Sequence, residues 1–296
     1  MHVAKGVAAL LLVSLNAIVW CSLLFLASLP ALVIRDGVRR SAYIARLHPI
    51  VDAWVGGNGF VLRALHLVAI AVDGATGLRR GEWSLVMSNH QTWADIIVLQ
   101  CALLPHAPVL KFFMKRELIW VPFIGLGCWI LDFPFMRRYS AAVLERNPQL
   151  RGTDQATTQR ACERFRQAPT AVLNFVEGTR FTTAKHAAQQ SPYRHLLKPR
   201  AGGFGFVIAS LGDRLNCIID ATIVYPDGAP TFWEFLCGRA PSVQVHLQRL
   251  AVPADLIGGD YAGDDSYRAR IRDWVDALWI AKDQRLDQRQ PVAVST

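Results

Sequence analysis

"WSLVMSNHQTWAD", Trp83 to Asp95, decides how this chain folds. It opens with a short apolar run, passes through a polar turn at Asn89-His90, and continues into residues that can start a helix. A run rich in Val and aromatic residues, bounded by turn signals, reads as a buried strand. A strand feeding directly into a helix is the unit from which parallel sheets are built. His90 and Asp95 cannot face each other on one straight helix, because five residues at ~3.6 per turn leave them far apart around the axis. They meet only if His90 lies in the turn and Asp95 in the first helical turn. Thr92 reads as the N-cap, which makes Asp95 the third helical residue. The same Thr-x-x-acid spacing also resembles a capping box with an acid at the positive end of the helix dipole. Alone, the stretch leaves a catalytic pair and a capped helix equally open.

The pattern recurs. "PVLKFFM" (Pro108 to Met114) precedes Lys115-Arg116-Glu117, "TAVLNFV" (Thr170 to Val176) precedes Glu177-Gly178-Thr179-Arg180, and "DATIVY" (Asp220 to Tyr225) precedes Pro226-Asp227. Helical stretches at about 93–103, 154–167 and 203–211 separate them. The expected fold is therefore α/β, a mainly parallel central sheet flanked by helices. Ligands of such sheets bind beyond the carboxyl ends of the strands, so all four polar motifs should gather at one edge. A further strand at Ser242 to Leu250 and a helix at about Ser266 to Lys282 carry no motif.

A membrane anchor should precede this domain. From Val7 to Ile34 the chain carries no charge. The run exceeds the ~20 residues that span a hydrocarbon core and the ~7–15 apolar residues of a cleavable signal peptide. A shallow hairpin is the competing arrangement. Lys5 precedes the segment, while Arg35, Arg39, Arg40 and Arg46 follow it, which puts the rest of the chain on the cytoplasmic side of an inner membrane. The expected organisation is a transmembrane anchor over 1–40, an amphipathic membrane-associated helical region over 41–80 broken at Gly56-Gly57, and an α/β domain over 81–290.

Composition agrees with membrane contact and an anionic partner. Of the 296 residues, 52% are hydrophobic, the mean hydropathy is +0.23 and the formal net charge is +9. The six cysteines are scattered without Cys-x-x-Cys spacing, which reads as reduced thiols and neither a disulfide framework nor a zinc site. Nucleic-acid binding would rest on charge alone, since no recognition motif accompanies it.

Three other stretches bear on chemistry. "FVEGTR" (Phe175 to Arg180) offers a phosphate clamp, with Arg180 as a charge-assisted fork, Thr179 and backbone amides near Gly178 as further donors, and Glu177 paired to Arg180. The bland alternative is an ordinary turn with a solvated arginine. "LLKPRAGG" (Leu196 to Gly203) adds Lys198 and Arg200 ahead of a glycine-led helix. The apolar run Leu118 to Leu131, interrupted by Pro122, Gly125 and Gly127 and flanked by Lys115-Arg116 and Arg137-Arg138, is too short and broken to span. It reads as a segment dipping into the membrane interface, against a buried core segment as the alternative. If the His90–Asp95 pair is catalytic, the carboxylate holds one imidazole nitrogen protonated and frees the other to take a proton from a hydroxyl. No Gly-x-Ser-x-Gly elbow or nearby cysteine supplies a nucleophile, so the alcohol would belong to a substrate.

Taken in order, His90-x4-Asp95, "KRELIWVPFIG" (from Lys115), "FVEGTR" and "TIVYP" (Thr222 to Pro226) resemble the four sequence blocks of the glycerolipid acyltransferase family. Its best-known members are the 1-acylglycerol-3-phosphate (lysophosphatidic acid) acyltransferases. The resemblance covers Trp83 to Gly238, and "TFWEFLCG" (Thr231 to Gly238) is similar to the lysocardiolipin acyltransferase-like branch. It implies His90 as general base and Asp95 as its orienter, and it places Glu177, Gly178, Thr179 and Arg180 at a substrate phosphate. It aligns Lys115 and Arg116 with the second block, Arg137 or Arg138 with the basic residue after it, and Pro226 with the acyl-donor side. It further implies a lysophospholipid acceptor, an acyl-CoA or acyl-ACP co-substrate, contact with membrane lipids, acyl carrier protein as a candidate partner, and no metal or other cofactor. The alternatives are another lysophospholipid as acceptor, such as lysophosphatidylglycerol or lysocardiolipin, and a non-catalytic lipid-binding protein. The presence of both His90 and Asp95 argues against the last.

Overall fold

The structure is a computed structural model that describes residues 2–136, 146 and 153–289. Its strands are β1 (Ala69–Asp73), β2 (Ser84–Ser88), β3 (Leu110–Phe112), β4 (Met114–Lys115), β5 (Phe135–Met136), β6 (Ala171–Phe175), β7 (Cys217–Val224) and β8 (Ser242–Leu250). Its helices are α1 (His2–Ser28), α2 (Gly37–Ala45), α3 (His48–Ala64), α4 (Ala94–Leu103), α5 (Ile124–Ile130), α6 (Thr153–Phe165), α7 (Thr183–Gln189), α8 (Ala201–Leu211), α9 (Phe232–Leu236) and α10 (Asp265–Arg289).

Among the described residues, six strands form one sheet in the order β1-β8-β7-β2-β6-β3. β3, β6, β2 and β7 are mutually parallel neighbours, as their motifs required, whereas β8 runs antiparallel to β7 and carries β1 parallel to itself. Every residue of β2 and β7 is buried, which is why these strands read as unbroken apolar runs rather than alternating ones. Helices cover both faces. Leu62, Val98, Leu99 and Phe235 pack on one side, and Phe165, Phe204, Ile208 and Trp279 on the other. Met114, expected to close the third strand, instead pairs with Phe135 in a separate two-stranded ladder, in which Lys115 pairs with Met136.

The stretch 41–80 departs from its expectation twice. Ala69–Asp73 is a strand, so this stretch supplies the edge of the central sheet as well as helices. α3 also runs unbroken through Gly56 and Gly57. A Cβ on Gly57 would overlap the Asn16 side chain, so this glycine allows α1 and α3 to cross closely. Asn16 itself donates to Trp54 O at 2.8 Å and to Asn58 Oδ1 at 2.9 Å, which settles a polar side chain inside an apolar helix pair.

Residues His2–Leu32 include a window of mean hydropathy 2.4, only 22% of it buried, long and apolar enough to cross a membrane. α1 gives way to a 3-10 turn at Leu29–Leu32, whose second residue, Pro30, lacks the N–H that would continue the helix. The helix is nevertheless docked on the domain at both ends. His2 Nδ1 lies 3.0 Å from Cys237 O, and the Tyr43 hydroxyl donates to Ala27 O at 2.8 Å.

Candidate active site

β2 ends at Ser88, and the chain turns sharply before α4 begins at Ala94. The turn is fixed to the next strand by Asn89. Its side chain donates to Ile223 O and accepts from Ile223 N, both at 2.9 Å. His90 follows, with its ring stacked on Phe175 from the end of β6 at 3.9 Å and 16°. Its Nδ1 lies 2.8 Å from Asp95 Oδ2, and the carboxylate is fully buried. An acceptor at Nδ1 fixes the tautomer and leaves the Nε2 lone pair free.

Asp95 does more than face the imidazole. The same Oδ2 accepts from the Gln91 N–H at 2.6 Å and the Thr92 N–H at 3.0 Å. The carboxylate therefore folds back over the helix entrance, and Asp95, not Thr92, satisfies the turn amides. The expected Thr92 cap is corrected accordingly: Trp93 holds the N-cap position, and Thr92 Oγ1 makes one long contact, 3.4 Å from the Ala94 N–H. The other oxygen, Oδ1, accepts from the Tyr225 hydroxyl at 2.7 Å. Burial and the neighbouring carboxylate push the Tyr225 phenol far above its ordinary range, which keeps it a donor. The sequence reading passed over Tyr225 in favour of Pro226. The half-buried Pro226 follows it in the turn after β7, and the tyrosine is the residue of that block that reaches the dyad.

The Glu177 to Arg180 loop departs from the clamp drawn from sequence. Glu177 is fully buried, and no ion pair between it and Arg180 occurs. Its Oε1 accepts from the His90 N–H at 3.0 Å and its Oε2 from the Leu197 N–H at 3.2 Å. Burial pushes this carboxyl up to about 8, opposed by the two amide donors and by Lys282. Glu177 is thus a brace beneath His90, and the loop is clasped a second time by Phe181 N–H to His90 O at 2.7 Å. Gly178 sits at φ 68°, where a side chain is strained, and its N–H is committed to Phe175 O at 2.9 Å. A Cβ there would meet the Arg200 side chain at 3.1 Å.

Beyond that glycine the loop is exposed and cationic. The Arg180 guanidinium lies 4.8 Å over the Trp93 ring, which orients it without neutralising it. Lys185, unmarked by any motif, donates to Thr179 Oγ1 at 2.8 Å and Arg180 O at 2.9 Å, so a further cation stands at this rim. Lys198 and Arg200 are exposed on the segment entering α8. Lys115 and Arg116 are exposed beyond β3, two strands from β2 or roughly 10 Å across the sheet. Arg137 and Arg138 lie outside the described residues.

A cavity of about 370 Å³ lies between α1, α3, α4 and α5, lined almost wholly by apolar side chains such as Val55, Ile97, Leu104 and Phe133. Trp93 forms part of its wall while carrying Arg180 on its ring, so the cavity begins beside the dyad. A histidine–aspartate pair, a cationic rim and an apolar pocket thus gather at the carboxyl ends of parallel strands.

Known proteins resemble this chain in sequence and in fold. The zebrafish (Danio rerio) lysocardiolipin acyltransferase 1 is 29% identical over 258 residues, covering 81% of this chain and 60% of its own. The Arabidopsis thaliana 1-acyl-sn-glycerol-3-phosphate acyltransferase 2 is 28% identical over 257 residues, covering 81% and 58%. The chain thus spans about three fifths of the length of these curated relatives. The crystal structure of the 1-acyl-sn-glycerophosphate (LPA) acyltransferase PlsC from Thermotoga maritima superposes with a TM-score of 0.57 over 98% of this chain and 100% of that one, at 14% identity, which speaks to the fold. The Acyltransferase family model matches residues 69–226, from the first strand of the sheet to the turn after β7, and the chain belongs to that family.

Proposed function

We propose that this chain transfers a fatty acyl group from an acyl thioester to the sn-2 hydroxyl of 1-acyl-sn-glycerol-3-phosphate, giving phosphatidic acid. The observation that carries the reading is the His90–Asp95 contact of 2.8 Å, with Trp93 between the two residues in the chain forming part of the wall of an apolar cavity. His90 Nε2 takes the proton of the acceptor hydroxyl as its oxygen attacks the thioester carbonyl. The tetrahedral intermediate collapses, the carbon–sulfur bond breaks, and the imidazolium returns the proton to the departing thiolate. No enzyme nucleophile is needed. Asp95 stabilises the imidazolium, Glu177 holds the His90 backbone, and the cavity takes an acyl chain. Arg180, with Lys185 beside it, meets the acceptor phosphate; Thr179 and Arg200 line the same rim. The thioester donor is acyl-CoA or acyl-ACP.

The protein works at the inner membrane with its catalytic face on the cytoplasmic side. The arginines at 35, 39, 40 and 46, immediately after the apolar helix, support that orientation. The test is an acyl-transfer assay on membranes with a panel of acceptors: lysophosphatidic acid, lysophosphatidylglycerol and lysocardiolipin. His90→Ala is expected to lower transfer by about a thousandfold while the protein stays on the membrane. Undiminished transfer would remove the dyad from the mechanism, and preference for lysocardiolipin would replace the acceptor named here.

A further inference from the structure

The segment between Lys115 and Leu131 has two faces that the reaction above does not explain together. It runs through a 3-10 turn at Arg116–Trp120 and, after Pro122, into α5. Leu118, Val121 and Ile124 line one wall of the apolar cavity, with Val121 and Ile124 still 37% and 36% exposed at its edge. Trp120, Phe123, Leu126 and Trp129 face outward, 85%, 40%, 38% and 50% exposed. An exposed apolar ridge of this kind marks a contact surface.

What covers it follows from its neighbours. α5 packs against α1, where a Cβ on Gly127 would stand 3.3 Å from Cys21 Sγ, and Leu24 and Cys128 share one core cluster. On its outer side α1 exposes Leu23 at 43% and Leu26 at 59%, within the stretch long and apolar enough for a membrane. The ridge therefore continues a lipid-facing surface. Tryptophan is the side chain enriched at the boundary of a bilayer, and the exposed Lys115 and Arg116 flank the segment at headgroup-seeking positions. At Phe123 the backbone makes a tight three-residue turn, φ 62° and ψ −52°, with Ile124 N–H bonded to Pro122 O at 2.7 Å. That turn separates the 3-10 turn from α5 and presents Phe123 outward.

We propose that residues 116–130 are a lipid-contacting gate. The ridge Trp120, Phe123, Leu126 and Trp129 enters the bilayer, and the opposite face of the same segment walls the cavity. An acyl chain leaving the bilayer along this segment reaches the cavity without crossing water. The ligand is a bilayer-resident lipid chain, and its entry is lateral.

The kinetic test rests on the acyltransferase reading; a second, spectroscopic test does not. With the full chain in phosphatidylcholine vesicles containing anionic lipid, Trp120→Ser/Phe123→Ser should raise the apparent KM for a long-chain lysophospholipid in the bilayer by about tenfold, since two apolar side chains leave the lipid. A short-chain lysophospholipid dissolved below its critical micelle concentration should be used within about twofold of wild type, because neither residue lines the cavity. An equal fall with both acceptors, or no change with either, overturns the gate. Separately, vesicles with bromine-labelled acyl chains should quench wild-type tryptophan fluorescence, and Trp120→Phe/Trp129→Phe should remove part of the quenchable signal. An unchanged quenchable fraction overturns the lipid contact. A wild type that is quenched but transfers to neither acceptor would refute the proposed reaction and leave the lipid contact standing.

Discussion

Tyr225→Phe removes one hydroxyl from a fully formed site. That hydroxyl donates to Asp95 Oδ1 at 2.7 Å, from a ring 3% exposed to a carboxylate with no exposure at all. A hydrogen bond to a charged acceptor contributes about 1.5–3 kcal/mol, which would convert to roughly 10–150-fold in rate if all of it served the transition state. It does not all serve. Oδ2 keeps its three donors (the His90 ring and the Gln91 and Thr92 amides), so the carboxylate stays anchored and can only tilt. The expected loss in kcat is therefore about tenfold, at the low end of that range, with KM for both substrates within about twofold because the ring remains in place. Release of free thiol from an acyl-CoA, followed with a chromogenic thiol reagent, measures it. The discriminating step is a double-mutant cycle. Asp95→Ala alone should lose on the order of a thousandfold, and adding Tyr225→Phe to it should change almost nothing, because the tyrosine acts only through that carboxylate. If the second substitution costs the same tenfold in both backgrounds, Tyr225 is a packing residue and the three-member reading fails.

Two further outcomes follow from the loop after β6. Arg180→Ala should raise KM about tenfold for the phosphate-bearing acceptor and much less for the thioester donor, if the exposed fork over Trp93 meets the acceptor headgroup as proposed; equal effects in steady-state kinetics would mark a structural arginine. Glu177 makes stability depend on pH. Its folded value of about 8 stands above its ordinary 4.5, so the native state binds more protons than the unfolded one across that window, and stability falls as pH rises through it. The whole window amounts to at most about 5 kcal/mol. Glu177→Gln abolishes this slope, so denaturant unfolding at pH 5 and pH 8 should show wild type losing more stability than the variant between the two; parallel losses would place the dependence elsewhere.

The sheet was legible where burial is two-sided. β2, β6 and β7 sit in the middle of the sheet, and they stand in the sequence as short runs of apolar residues closed by polar turns. β1 was not legible, since only one of its five residues is even partly buried and its place is set by pairing with β8, far along the chain. The same division runs through the site. His90 and Asp95 are local, and their spacing lets them meet only across a turn followed by a helix, as they do. The tasks of Glu177 and Tyr225 are not local, because each depends on a partner that only the folded sheet delivers: Leu197 N–H and His90 N–H for one, Asp95 for the other. A sequence pattern shows an acid next to an arginine and suggests a pair. Only burial shows that this acid faces inward, away from it.

Geometry also dissolves the choice between a dyad and a capped helix. A carboxylate has about four acceptor positions. Asp95 divides them so that Oδ2 takes two turn amides together with the imidazole and Oδ1 takes a phenol. Satisfying the amides that the helix start leaves open fixes the carboxylate in position, and a carboxylate fixed there can hold the imidazole in one tautomer. The five-residue spacing is therefore one requirement with two consequences. A shift of Asp95 by one position along α4 would turn its side chain by about 100° around the helix axis, losing the amides and the imidazole together.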